Sequence, residues 1–183
     1  MRILAPAAAL AIVTTVMLGG CVPSEPSASP TPEPSTTPVF ASEEEALAAA
    51  EEAYAAYLAV SDAIAQEGGA NPERLAELVT AEWLEKEVAV FEQFANSGRR
   101  QVGATAAYGM VLQQYSQSDG VADVITYVCA DFSATSFLDS AGVDVTPVDR
   151  LATVTLQVGF QSEAGASSLR VSSSEPWSGD SVC

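Results

Sequence analysis

The chain is 183 residues long and carries 24 acids against 7 bases, a formal charge of −17, with no histidine. Such an acidic balance argues against nucleic acid and anionic lipid surfaces as partners, because both are held by clustered bases. The missing imidazole removes the usual general base, the commonest metal ligand and any ordinary Ser-His-Asp triad.

The N-terminus opens with Arg2, an apolar run from Ile3 to Leu18, and then Gly19-Gly20-Cys21. A spanning helix wants about 20 apolar residues. This run is shorter and is interrupted by Pro6, Thr14 and Thr15. Leu18-Gly19-Gly20-Cys21 instead resembles a bacterial lipobox, which implies a signal peptide over residues 1–20 and a diacylglyceryl group on the sulfur of Cys21. Two acyl chains, at roughly 0.8 kcal/mol per buried CH₂, anchor far better than one. The expected location is the cell membrane, lipid-anchored, on its extracytoplasmic face.

Residues 21–39 follow as the lipidated cysteine and a linker. From Val22 to Val39 the chain has 6 Pro, 4 Ser and 3 Thr in 18 residues, too little apolar surface to fold. Its proline content favours an extended spacer with a reach on the order of 55 Å.

Residues 40–183 are expected to form a single α+β domain of ordinary size. Ser42-Glu43-Glu44-Glu45 is a capping box, and the acids favour the positive end of the helix dipole. The helix should run to about Gln66, where Gly68-Gly69 stops it, with Leu47, Ala50, Tyr54, Tyr57, Leu58 and Ser61 as its buried stripe. Asn71-Pro72 is read as the cap and first residue of a short second helix. Thr80 is placed to cap a third over Ala81–Ser97, with Leu84, Val88, Phe91 and Ala95 inward and Trp83, Val90 and Phe94 widening that face.

Past Gly98 the periodicity changes from helical to strand-like. Arg100–Gln117 reads as one long strand, with a break or bulge near Gly103 or Gly109. Ser118-Asp119-Gly120 is a hairpin signal. Val121–Asp131 is partly apolar on both faces, as a central strand should be. Phe132–Leu138 is read as an edge, Asp139-Ser140-Ala141-Gly142 as a turn, and Arg150–Gln161 and Ser168–Ser174 as the last strands. With Cys21 assigned to lipid, Cys129 and Cys183 form an even pair in an oxidising compartment and are read as a disulfide. The alternatives are free thiols or a catalytic thiol, the latter without any histidine to activate it.

This order of elements resembles the nuclear-transport-factor-two-like cone, the cystatin-like arrangement in which helices pack into a strongly curved antiparallel sheet. The residues are also similar to a group of actinobacterial lipoproteins of largely unknown function. The features that carry this are the lipobox, the Pro/Ser/Thr spacer, Gly98-Arg99-Arg100-Gln101-Val102-Gly103, Cys129-Ala130-Asp131, Asp139-Ser140-Ala141-Gly142, and Glu175-Pro176-Trp177 through Cys183. The resemblance implies three N-terminal helices over a strongly curved sheet. Cone enzymes such as ketosteroid isomerases and polyketide cyclases use Asp, Tyr or His inside the cavity. Tyr54, Tyr57, Tyr127 and Asp131 are the residues here that such a cavity would draw inward.

Each candidate has a plainer reading. Tyr54 and Tyr57 are three apart on a buried stripe, where tyrosines commonly pack as core with a wet hydroxyl. Asp131, if buried, needs a partner or a raised pKa, and Arg150 or a backbone cap would satisfy it. The acids from Asp139 to Asp144 lack the alternating ligands and distant glutamate of a calcium loop, so no metal and no cofactor is expected. Trp177 is placed against the helices in preference to an exposed contact. The leading expectation is a non-catalytic, lipid-anchored domain that binds a small apolar ligand or an envelope protein. An acid-base enzyme using Asp131 and tyrosines, and a purely structural envelope domain, stand as alternatives.

Overall fold

The computed structural model describes residues 38–183, which fall in one compact unit; Cys21, the signal segment and most of the linker lie outside the described residues. Helix α1 spans Glu43–Gln66 and α2 spans Ala81–Asn96. Strands β1 (Arg100–Val102), β2 (Ala106–Ser118), β3 (Val121–Asp131), β4 (Ser136–Leu138), β5 (Thr153–Ser162) and β6 (Leu169–Pro176) follow. Helices packed on antiparallel sheets make this an α+β domain.

The start of α1 forms as its sequence dictates. The Ser42 hydroxyl accepts from the Glu45 amide at 3.3 Å, while the Glu45 carboxylate reaches back to the amide of Ala41 at 2.7 Å. The reciprocal contact therefore falls one residue earlier than in a standard capping box. Just upstream, Phe40 is buried against the Tyr115 ring, and the Tyr115 hydroxyl donates to its carbonyl. The domain is thus fastened to β2 before α1 begins. Thr80 caps α2 through the Trp83 amide.

The second helix differs from expectation. Pro72–Glu77 is a 3₁₀ segment, and Asn71 sits in the left-handed region at φ 53° without making a side-chain cap. The cause is a capture of the backbone just beyond it. Leu78 accepts from the Val171 amide and the Thr80 amide donates to Val171, so residues 78–80 bridge to β6. Too few residues remain before that bridge to close a run of α-helical bonds. The layer therefore holds two α-helices and a 3₁₀ turn, not three helices.

The main sheet is antiparallel in the order β2-β3-β5-β6, so β3 is internal as its two-faced apolarity implied. It is open and not strongly curled. The β2–β3 hairpin turns through Asp119 and Gly120, both at positive φ, as a two-residue turn matched to strand twist requires. The long strand expected from Arg100 breaks at Gly103, one of the two glycines marked for a break. Residues 103–105 interrupt it, and β1 leaves the main sheet to pair with β4 in a separate two-stranded sheet. Gly103 permits the split: it has φ +82° and its backbone packs directly on the carbonyl of Ala134, where no side chain fits. Register shifts between Tyr108 and Val111, and between Leu112 and Gln114, add irregularity along β2.

The inner face of the sheet is built from Ala122, Val124, Thr126, Val128 and Ala130 of β3 beside Val158 and Phe160 of β5, all fully or nearly fully buried. Tyr54 and Ile64 of α1, Leu75, and Phe91 of α2 close the core from above. No helix among the described residues is long and apolar enough to cross a membrane.

The C-terminal tail covers part of the opposite face, over Tyr127, Cys129 and Thr155. Cys183 is bonded to Cys129 with their Cα atoms 5.2 Å apart, and Thr155 holds the tail through Trp177, Ser181 and Val182. Trp177 stacks on Tyr127 at 4.5 Å. The tryptophan therefore lies on the side of the sheet away from the helices, contrary to its expected placement. The disulfide draws the chain end across that side.

Candidate functional site

The long α1 crosses the inner face of the sheet and leaves hollows on either flank. Between α1, α2 and the sheet lies an inner cavity of about 270 Å³. Apolar surface dominates its lining, with Leu58, Phe91, Phe94 and Leu156 among the contributors, while Tyr54, Tyr57, Ser61, Asp62, Gln101, Thr105 and Ser174 bring polar groups. On the other flank, between α1 and the start of β2, lies a cleft of about 510 Å³, and both spaces open to the surface.

Two of the four residues expected to face inward do so. Tyr54 is 2% exposed, stacked on Tyr57 at 5.8 Å and edge-on to Phe160 at 6.3 Å. Burial pushes its phenol up to about 12; a hydrogen bond with Ser174 opposes this, and the nearby Glu87 charge adds to it. Tyr57 donates to a carboxylate oxygen of Glu87 at 2.8 Å. Its own phenol is raised further, first by burial and then by Glu87. Both phenols are therefore neutral hydrogen-bond donors throughout the physiological range, not bases.

Tyr127 and Asp131 do not face inward as expected. In β3 the side chains alternate across the sheet, so Tyr127, Cys129 and Asp131 take the face opposite Thr126, Val128 and Ala130. Tyr127 meets Trp177 there, and neither residue lines the inner cavity or the cleft. The Asp131 carboxylate accepts from the Ser133 amide at 2.8 Å, and the hydrogen bonds from Ser133 hold its pKa below the ordinary value. It is an ionised turn cap. Arg150 turns elsewhere, bonding the carbonyls of Phe132 and Thr135 and the Thr135 hydroxyl. The acid-base alternative built on Asp131 loses its residue.

Asp62, which no sequence motif singles out, is made central by the fold. It is 8% exposed, on the same face of α1 as Tyr54 and Leu58. One oxygen accepts from Gln101 Nε2 at 2.7 Å and the Thr105 hydroxyl at 2.9 Å; the other accepts from the Thr105 amide at 2.7 Å. A turn later on α1, Gln66 donates to the Gly103 carbonyl at 2.8 Å. Together they hold the 103–105 interruption against the helix, with neutral donors instead of a cation. The available signal was an acid at i+4 from Leu58 in an otherwise apolar row.

No sequence motif singles out Glu87 either. Burial raises its carboxyl, while the hydrogen bond from Tyr57 and the adjacent Trp83 indole oppose the rise. The Trp83 N–H lies near it but outside strict hydrogen-bond geometry, and has no partner. Because the folded state binds this proton more tightly than the unfolded chain, its contribution is fully present below the ordinary carboxyl value. It is lost as pH rises through the raised one. We expect Glu87→Gln, which keeps an acceptor for Tyr57, to unfold at a higher temperature than wild type at pH 7. That advantage should vanish at about pH 4, below the unfolded value. Thermal unfolding at the two pH values checks it.

The acids of the 139–146 loop are spent on backbone. Asp139 accepts from the amides of Ala141 and Val143, and Asp144 from that of Thr146. Among the described residues no group of three or more potential metal ligands gathers.

No family model and no curated protein matches the chain. Among solved structures it is similar to the intermembrane space region of the chloroplast protein ARC6, with 11% identity and a TM-score of 0.52. The match covers 71% of this chain and 95% of that one. The likeness is one of fold. It supports helices packed on an antiparallel sheet and carries nothing about ligands.

Proposed function

We propose that the chain is a lipid-anchored extracytoplasmic domain that binds a small apolar ligand without catalysis. The observation that carries the reading is the inner cavity between α1, α2 and the sheet. Its exposed lining is mostly apolar and is interrupted by several polar groups, among them neutral phenols, which suits a small-molecule site. We propose further that the domain is a shallow member of the nuclear-transport-factor-two-like cone family. The long first helix laid across an antiparallel sheet and the hollow beneath it support that reading. The anchor rests on Leu18-Gly19-Gly20-Cys21 and the proline-rich spacer behind it. Metabolic labelling with a radioactive fatty acid should mark the wild-type protein, and Cys21→Ala should abolish the label.

An envelope protein as partner is the second reading, and β2 favours it. This 13-residue strand forms an outer edge of the sheet, and none of its side chains is charged although the chain is strongly acidic. Natural edges are usually guarded by charge or proline. Purification from cross-linked cells, followed by mass spectrometry of bound lipids and proteins, separates the two readings. An apolar small molecule at stoichiometric yield supports the first and a protein cross-linked through β2 the second. Recovery of neither, where a control lipoprotein retains its ligand, would overturn both.

A further inference from the structure

Three rows of side chains at four-residue spacing run along α1. Glu51, Ala55 and Ala59 line the outer cleft, while Tyr57, Ser61 and Ala65 line the inner cavity. The row between them, Tyr54, Leu58 and Asp62, lines both. Residues at i and i+4 stand one above another on a helix, so the middle row is the wall between the two spaces. The ends of the wall are immobilised. Tyr54 is packed among Tyr57 and Phe160, and Asp62 is held by Gln101 and Thr105. Leu58, at the middle, has no polar atom, is only partly buried, and borders empty space on both sides. A leucine so placed has room to change rotamer, where a close-packed one has none.

We propose that the cleft and the cavity are two halves of one site for an elongated, uncharged apolar molecule, and that Leu58 is the movable partition that sets the ligand length accepted. The proposal rests on the reading of the inner cavity as an apolar binding site. Size supports it: about 270 Å³ alone lies below the usual range for ligand pockets, and joining the 510 Å³ cleft brings it well inside. Charge supports the uncharged class. The ionisable acids on the two linings are Glu51 and Asp62, and no lysine or arginine lines either space. An anionic head would enter without a counter-charge.

The test uses the oxidised chain from residue 22 to 183, with the neutral dye N-phenyl-1-naphthylamine as reporter and 1-octanol or 1-tetradecanol as competitor. Leu58→Ala should tighten competition by 1-tetradecanol about tenfold, the equivalent of two further buried methylenes, and shift 1-octanol by under about twofold. Leu58→Phe should weaken 1-tetradecanol by a similar factor and spare 1-octanol, which keeps the test sharp if the alanine variant folds poorly. Dye binding that persists while the two alcohols shift together, or while neither shifts, overturns the partition and leaves the inner cavity as a binding site. If wild type takes up neither dye nor alcohol, the binding reading and the partition fall together.

Discussion

Cys183→Ser is expected to destabilise the domain by about 4 kcal/mol, the chain-entropy value for a cross-link of this span. The disulfide closes a separation of 54 residues and ties the last residue of the chain to the internal strand β3. Releasing it also frees the segment held at Thr155 by Trp177, Ser181 and Val182, so that Tyr127 loses its cover. For a domain of this size the melting temperature should fall by roughly 10 °C. The near-ultraviolet circular dichroism of the Tyr127–Trp177 stack should weaken well below the melting transition. Scanning calorimetry of the oxidised wild type against the variant measures the first, and spectroscopy at 25 °C the second. A loss of under about 1 kcal/mol would mean that the tail is held by its hydrogen bonds and stacking, with the cross-link adding little.

Asp62→Ala is expected to cost about 3 kcal/mol. It leaves the buried Gln101 amide donor unsatisfied, at roughly 1–3 kcal/mol, while the two part-buried Thr105 donors turn to water and add a smaller loss. Asp62→Asn should cost less, because one oxygen remains to accept, but its amide nitrogen must then face a donor of Thr105. Urea unfolding midpoints give both values. The loss should appear with altered hydrogen exchange at residues 101–105, since Asp62 is what holds the chain between β1 and β2 against α1. If exchange there is unchanged, Gln66 on Gly103 carries that attachment instead.

These two positions differ in how far the sequence announced them. Cys129 and Cys183 were legible because, once the lipobox resemblance sets Cys21 aside and implies an oxidising compartment, parity leaves few options for the two remaining thiols. Asp62 was not, because an acid inside a helix pattern is ordinarily a solvated residue; only the return of Gln101 and Thr105 from forty positions away makes it a buried acceptor. Tyr127 and Asp131 were misplaced for a related reason. The alternation along Val121–Asp131 separates the two faces correctly, yet both faces are partly apolar. Nothing local says which one meets the helices and which meets the tail.

Local chemistry alone determined the caps of α1 and α2, the extent of the long first helix, the Asp119-Gly120 hairpin and the internal position of β3. Each of these depends on backbone conformational preference, or on side-chain periodicity over a few residues. The tertiary structure decided what depends on distant partners. It turned Pro72–Glu77 into a 3₁₀ segment by bridging residues 78–80 to β6, and it sent β1 out of the main sheet to β4. It also set Trp177 on the outer face and divided the space around α1 along the Tyr54–Leu58–Asp62 row. Those outcomes follow from which backbone groups and apolar faces find each other once the chain is collapsed, and no window of neighbouring residues contains that information.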